Sequence, residues 1–357
     1  MASWIVRTPS RLHFGLVAIC SEEPHRYGGL GMMIDEPSFE IKVHSAAHWN
    51  TTACGSWGER IDKGARHWQS FHGMDALPGL QWEILQAPEA HCGFGSGTQL
   101  ACAVATILQS HKMLGYGHAD SDQIDVSLRK GVQQARNVWM NPASVDGEGE
   151  CSVANRELQR ASGRGERSHI GMAGFLSGGW IWDEGMQSES QETANAKTRI
   201  RRVSVPSEWR ILLIDPLEKG TISGQREADF FQRCADAPNP HRQAMLDLVE
   251  TILLPCAMQG NLAAMGDALF DYGRMSGKIF RQVQGGPFRT RALEERVMRL
   301  RSLGASASGQ SSWGPTLFGI VENQEIAERI ASQWRSESAD RIRIVAPQCT
   351  GATLELR

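Results

Sequence analysis

The sequence predicts an α+β fold of two lobes, on three observations. A chain of 357 residues is long enough to build two cores. Its first third opens on strand patterns, whereas its second half carries several helical periods before strands return. Between Met186 and Lys197 lies a polar stretch without apolar periodicity, which sets the expected lobes at residues 1–190 and 200–357.

Ser3–Thr8 and Leu12–Ile19 read as two strands broken at Pro9-Ser10-Arg11, and Phe39–Val43 alternates as a third. Asp62–Phe71 has a weak helical period and Leu80–Leu85 is a short strand. A glycine-rich loop leads from it into a helix that runs to about Leu114. A further helix is expected at Asp122–Gln134, and the polar stretch Asn137–Asn155, with Asn-Pro and Asp-Gly signals, reads as a surface insertion. Around Gly163–Asp183 the pattern is loop, short glycine-bearing helix and strand. Beyond the polar stretch, Trp209–Asp215 is a buried strand. Helices follow at Glu227–Cys234, Arg242–Met258, Leu262–Phe280 and Thr290–Leu303. Thr316–Val321 is a strand, Asn323–Arg335 a helix, and Arg341–Ala346 and Thr353–Leu356 close the pattern as strands.

A formal net charge of −3 provides no basic field for nucleic acid, so an anionic ligand must be held by local groups. The eight cysteines include no Cys-x-x-Cys pair, which argues against a zinc knuckle or a disulfide framework and fits reduced thiols in a cytoplasm. Met1–Arg11 reads as a strand and not as a signal peptide, and no apolar run has the length of a membrane span. The many tryptophans are expected mainly in the core. A homodimer is the default assembly.

The most informative stretch is Gly93-Phe94-Gly95-Ser96-Gly97-Thr98-Gln99, which runs straight into the helical pattern Leu100, Ala101, Val104, Ala105, Leu108. The first N–H groups of a helix have no intrahelical partner, and the dipole favours an anion there by roughly 0.3–1 kcal/mol. Glycine lets a phosphate approach the backbone, and the Ser96 and Thr98 hydroxyls suit phosphate or a metal held by phosphate. A tight connection with a Ser or Thr cap is the plain alternative. The stretch is neither a P-loop nor a dinucleotide fingerprint, because no Gly-Lys-Ser/Thr follows and the later glycine is missing.

Arg164 and Arg167 flank Gly165 just before a helix, so two guanidiniums and backbone donors can converge on one anion. Arg11 and His13 share one side of an extended strand. Gly309-Gln310-Ser311-Ser312-Trp313-Gly314-Pro315-Thr316 places small hydroxylic residues before a buried strand, and Arg226 stands in a further loop, Gly220–Glu227. His13, His169 and Asp35 are the candidate general bases.

Together with Ser10–Leu16, Tyr27–Gly31, Ser168–Gly171 and Gln284–Gly286, these segments resemble the GHMP superfamily, which includes galactokinase, homoserine kinase and mevalonate kinase. More narrowly the chain resembles the beta-ribofuranosylaminobenzene 5'-phosphate synthase family. The resemblance implies a GHMP-kinase-like fold, with a ribosomal protein S5 domain 2-like N-terminal lobe and a ferredoxin-like C-terminal lobe. Two departures from the kinase pattern point away from ATP as phosphoryl donor. Gly97 and Thr98-Gln99 replace a second serine and the small residue after it, and Gln310-Ser311-Ser312-Trp313 replaces the glycine-rich third motif. An ATP-dependent small-molecule kinase is the alternative, and a noncatalytic ligand-binding relative a third reading.

For the synthase family the implied reaction condenses phosphoribosyl diphosphate with 4-aminobenzoate and releases CO2 and diphosphate, in tetrahydromethanopterin biosynthesis. A related para-substituted acceptor such as 4-hydroxybenzoate would alter none of the motifs. Arg11, His13, Arg164 and Arg167 are the implied catalytic residues. Gly93, Gly95, Ser96, Gly97, Thr98, Gln99, Gln310, Ser311 and Ser312 are the implied phosphate-binding residues, with Ser96 and Thr98 toward Mg2+.

Overall fold

A computed structural model describes residues 3–20, 22–90, 92–113, 149–150, 153–186, 199–216, 225–235 and 238–356. Two sheets organise the chain. The first is built on β1 (Ser3–Leu16) and β2 (Gly29–Ser45), which pair antiparallel along most of their length. The break expected at Pro9-Ser10-Arg11 does not occur. β1 runs through it, and the pairing jumps from Thr8↔Phe39 to Ser10↔Ile34, so a proline without an N–H sits at an irregularity instead of ending the strand.

β3 (Asn50–Ala53) follows, then α1 (Gly58–Phe71), β4 (Leu80–Gln86) and α2 (Ser96–Met113). Ile61, Ala65 and Trp68 of α1 and Leu100, Val104, Ile107 and Leu108 of α2 are buried in one cluster with Trp4 and Val43 of the sheet. After β5 (Gly149–Glu150) come α3 (Val153–Ser162), α4 (Ile170–Ser177), β6 (Trp180–Asp183) and β7 (Arg199–Val203). The helix expected at Asp122–Gln134 lies outside the described residues, as does most of Asn137–Asn155. Where that stretch is described it belongs to the fold, since β5 pairs with β7 and α3 begins at Val153.

The second sheet consists of β8 (Arg210–Asp215), β9 (Ala307–Gln310), β10 (Leu317–Val321) and β11 (Arg341–Val345), in the order β11-β8-β10-β9, antiparallel throughout. α5 (Gln225–Cys234) is followed by α6 (Arg242–Leu248) and α7 (Leu254–Gln259), joined through a π-helical turn at Val249–Leu253. The turn precedes Pro255, whose missing N–H interrupts the regular ladder. α8 (Leu262–Ile279) and α9 (Arg291–Ser302) are capped by Asn261 and Thr290, and α10 (Gln324–Glu337) by Asn323, each side chain accepting a backbone N–H three residues on.

The first sheet does not end at the 190/200 division. β7 pairs with β6, and β12 (Thr353–Leu356) crosses back to pair with β1, giving the order β12-β1-β2-β6-β7-β5 with β4 and β3 branching from β2. A common core runs between the two sheets: Phe14 of β1 packs on Trp180 and Phe318, with ring centroids 4.8 and 5.0 Å apart. Trp4, Trp68, Trp82, Trp180, Trp182 and Trp334 are fully buried, as the sequence reading expects of most tryptophans. Among the described residues no helix is long and apolar enough to cross a membrane.

Candidate active site

Three stretches far apart in the sequence meet on β1. Arg11 N–H donates to Phe94 O at 2.9 Å, fixing the glycine-rich loop against the strand. Ser312 N–H donates to His13 O at 2.9 Å, docking the Ser311–Pro315 loop two residues further along. Ser311 joins all three: its hydroxyl donates to Gly93 O at 2.9 Å and accepts from His13 N–H at 3.2 Å. The glycine at 93 is required here, because its φ is +86° and a Cβ would stand 2.7 Å from Ser311 O.

Beyond this junction α2 starts at Ser96. The N–H groups of Thr98 and Gln99 turn back to Gly95 O, so the amides of Ser96 and Gly97 are the ones left to a ligand. Gly95 packs over the Arg11 guanidinium, and a Cβ at Gly97 would lie 3.7 Å from Arg164 Nη2. The loop, the helix end and two arginines thus form one cradle of backbone N–H groups and guanidiniums.

The cradle opens into a cleft of about 790 Å³. Of the residues singled out from sequence, Arg11, His13, Gly93, Gly95, Ser96, Gly97, Thr98, Arg164, Arg167, Gln310 and Ser312 line it. Gln99 and Ser311 are completely buried and do not. Gln99 Nε2 donates to Gly171 O at 2.7 Å, tying α2 to α4, and Ser311 is the clasp described above. Gln310 spends its amide on the protein, accepting from Arg289 N–H and donating to Ser312 O, so it shapes the wall. Arg226 has no described side chain.

Among the candidate bases only His13 lines the cleft. Burial, with the neighbouring Arg11 charge, holds its pKa well below the usual imidazole value, so it is neutral at pH 7. His169 lies behind the wall. Burial disfavours its imidazolium, yet the Asp183 carboxylate 3.5 Å from Nδ1 outweighs that and raises the pKa. Asp183 also accepts N–H from His169 and Gly185, at 2.6 and 3.0 Å, and so anchors the chain between Ser168 and α4. Asp35 receives Ala346 N–H at 2.9 Å, away from the cleft lining.

Two parts of the lining were not legible as site residues. One is the pair Phe280 and Phe231, on which Trp313, expected from the sequence to rim a low-water pocket, packs with centroids 4.3 and 5.8 Å apart to make an aromatic wall; the Arg167 guanidinium lies 4.4 Å from the Phe231 ring centroid. The other is a stripe of α1: Arg60, Lys63, Gly64 and His67. Among the described residues, five Arg or Lys side chains line the cleft against a single carboxylate, Glu166, in a chain whose net charge is −3. The side-chain charge of the lining is therefore predominantly positive.

Comparison with known proteins agrees with this architecture. Residues 253–340 match the family model described as GHMP kinases C terminal. The chain superimposes on the homoserine kinase of Cytophaga hutchinsonii with a TM-score of 0.58 at 12% identity, covering 99% of this chain and 97% of that one. The fold is therefore the two-lobed α+β fold of the GHMP kinases. The beta-ribofuranosylphenol 5'-phosphate synthase of Methanothermobacter thermautotrophicus is 25% identical over 90% of this chain and 89% of its own. The enzyme of the same name from Archaeoglobus fulgidus is 24% identical over 98% of each. Along nearly its whole length the chain is thus similar to the beta-ribofuranosylphenol 5'-phosphate synthases, on the fold of the GHMP kinases.

Proposed function

We propose that this protein condenses phosphoribosyl diphosphate with 4-aminobenzoate, releasing CO2 and diphosphate, as a step of tetrahydromethanopterin biosynthesis. The observation that carries the reading is that a single cleft joins an anion cradle to an aromatic wall with an arginine on it. A phosphorylated sugar and an aromatic carboxylate need that pair of surfaces. The relatives' name specifies a phenol product, which favours 4-hydroxybenzoate as the second acceptor to be tested.

The chemistry follows from the residues. The cradle amides of Ser96 and Gly97, with Arg11 and Arg164, receive the charge that develops on the departing diphosphate. Arg167, stacked on Phe231, orients the acceptor carboxylate, and the ring lies along Phe280 and Trp313. The para substituent pushes electrons to the ring carbon that bears the carboxylate; that carbon bonds to ribose C1 as the C1–O bond breaks. Loss of CO2 then returns the electron pair of the C–C bond to the ring. Trp313 and Phe280 limit water at the carbon under attack.

Magnesium is part of the proposal. Among the described residues no three His, Cys, Asp or Glu side chains gather at one point, so the donor set that fits is the Ser96 and Thr98 hydroxyls together with diphosphate oxygens. Bound there, the ion supplies positive charge to the leaving group.

The test is to incubate the protein with phosphoribosyl diphosphate, Mg2+ and either acceptor, and to identify the product by mass. A ribosylated aniline or phenol 5'-phosphate supports the reading. ATP-dependent phosphorylation of a small alcohol, with no condensation product, contradicts it.

A further inference from the structure

The proposed donor and acceptor together carry three anionic groups: the diphosphate, the phosphomonoester on ribose C5, and the benzoate carboxylate. The cradle with Arg11 and Arg164 serves the first and Arg167 the third, which leaves the phosphomonoester without a site. The cleft leaves one cationic group without a role. Arg60, Lys63 and His67 stand at i, i+3 and i+7 on α1, and this spacing puts them on one face of the helix, opposite the buried Ile61, Ala65 and Trp68. All three line the cleft.

The stripe is fixed next to the cradle. His67 Nε2 meets Arg160 O at 2.7 Å, at the end of α3, and a Cβ at Gly163 would lie 2.9 Å from His67 Nε2. Arg164 follows at once and reaches Gly97. The order along the wall is thus α1 stripe, Arg164, cradle. Phe231 and Phe280, which carry the aromatic wall, come from α5 and the end of α8, in the other half of the chain. No carboxylate pairs with Lys63 or Arg164 among the described residues, so both charges are open to a ligand.

We propose that Lys63 and Arg60 of helix α1 form a phosphomonoester subsite that holds the 5-phosphate of the ribosyl donor. The assignment rests on the phosphoribosyl reading of the cleft. It orients the sugar: with the 5-phosphate on α1 and the diphosphate at the cradle, the ribose spans the space between them and presents C1 to the cleft that the aromatic wall also lines, from which the acceptor carbon must approach. Lys63 is solvent-exposed, so its substitution leaves the core intact.

The experiment titrates wild type, Lys63→Ala, Lys63→Arg and Arg60→Ala with ribose 5-phosphate and, separately, with inorganic diphosphate, by calorimetry at low salt. Ribose 5-phosphate affinity should fall by about tenfold in Lys63→Ala and in Arg60→Ala, the loss expected for one charge-assisted contact, and return toward wild type in Lys63→Arg. Diphosphate affinity should stay within about twofold of wild type. Equal loss of both ligands, unchanged ribose 5-phosphate binding, or no binding of ribose 5-phosphate by wild type overturns the subsite. None of these readouts requires turnover. A protein that shows the selective loss yet forms no condensation product keeps the subsite and loses the synthase reading.

Discussion

Replacing Ser311 with alanine tests whether the cleft is assembled by one buried hydroxyl. In the fold that hydroxyl is wholly buried, donating to Gly93 O at 2.9 Å and accepting from His13 N–H at 3.2 Å. Alanine leaves the half-buried Gly93 carbonyl without this donor and the buried His13 N–H without this acceptor, each costing about 1–3 kcal/mol, with the half-buried group and the longer contact both toward the low end. A total of about 2–3 kcal/mol is expected. With an unfolding entropy near 2.1 cal/mol/K per residue, over a chain of this length, that is roughly 3–4 °C in Tm. The same loss releases Gly93 from the Ser311–Pro315 loop and loosens one side of the cradle, so KM for phosphoribosyl diphosphate should rise several-fold while acceptor KM holds. Melting followed by calorimetry and donor saturation kinetics give the two numbers. A Tm within about 1 °C of wild type together with an unchanged donor KM would refute the clasp, because surface-like substitutions stay within about 0.5 kcal/mol.

Other outcomes follow from the same geometry. Arg167→Ala should raise acceptor KM about 10- to 100-fold, the equivalent of about 1.5–3 kcal/mol for a hydrogen bond to a charged group, and leave donor KM in place; unchanged acceptor saturation counts against the clamp. The His169 pKa is raised in the fold, so its contribution to stability is complete below about pH 6.5 and is lost as pH rises through the folded value. His13 has the opposite sign: held neutral, it costs stability as pH falls below about 6.5, where the unfolded chain takes up the proton. Melting curves between about pH 5 and 8 should therefore lose their alkaline decline in His169→Gln and part of their acid decline in His13→Gln. Chelation of divalent ions should abolish diphosphate release and weaken binding of inorganic diphosphate without lowering Tm; full activity in chelator would remove magnesium from the account.

The sequence showed the parts of the site that consist of local chemistry. Glycines and hydroxyls ahead of an apolar helical period mark an open turn at a helix start, and in the fold Gly93–Thr98 lines the cleft where α2 begins. Arg11 and His13 share a face because strand geometry alone requires it. What was hidden depends on contacts between distant segments. Lys63 and His67 fall within a weak helical period and Arg60 ahead of it, and only the packing of α1 beside α3 turns them into a wall. Phe231 and Phe280 read as core until Trp313 is seen to stack on them. Gln99 and Ser311 have side chains suited to phosphate, but the fold uses both to satisfy buried backbone groups, a demand that sequence does not display. Ala-Ser-Gly-Gln has little strand propensity, so nothing local marks β9; α8 crosses beside it so closely that a Cβ at Gly266 would meet Ser306 O. Local signals also could not show that β7 and β12 join the first sheet, since that depends on where the chain returns.

The central claim is that the cradle and the aromatic wall hold the two partners of one decarboxylating condensation. The most direct measurement uses carboxyl-labelled acceptor with phosphoribosyl diphosphate and Mg2+, following labelled CO2 and diphosphate in the same reaction. Release of the two in equal amounts, abolished when either substrate is omitted, is the expected result. Diphosphate without CO2, or neither product with both acceptors, would contradict the account.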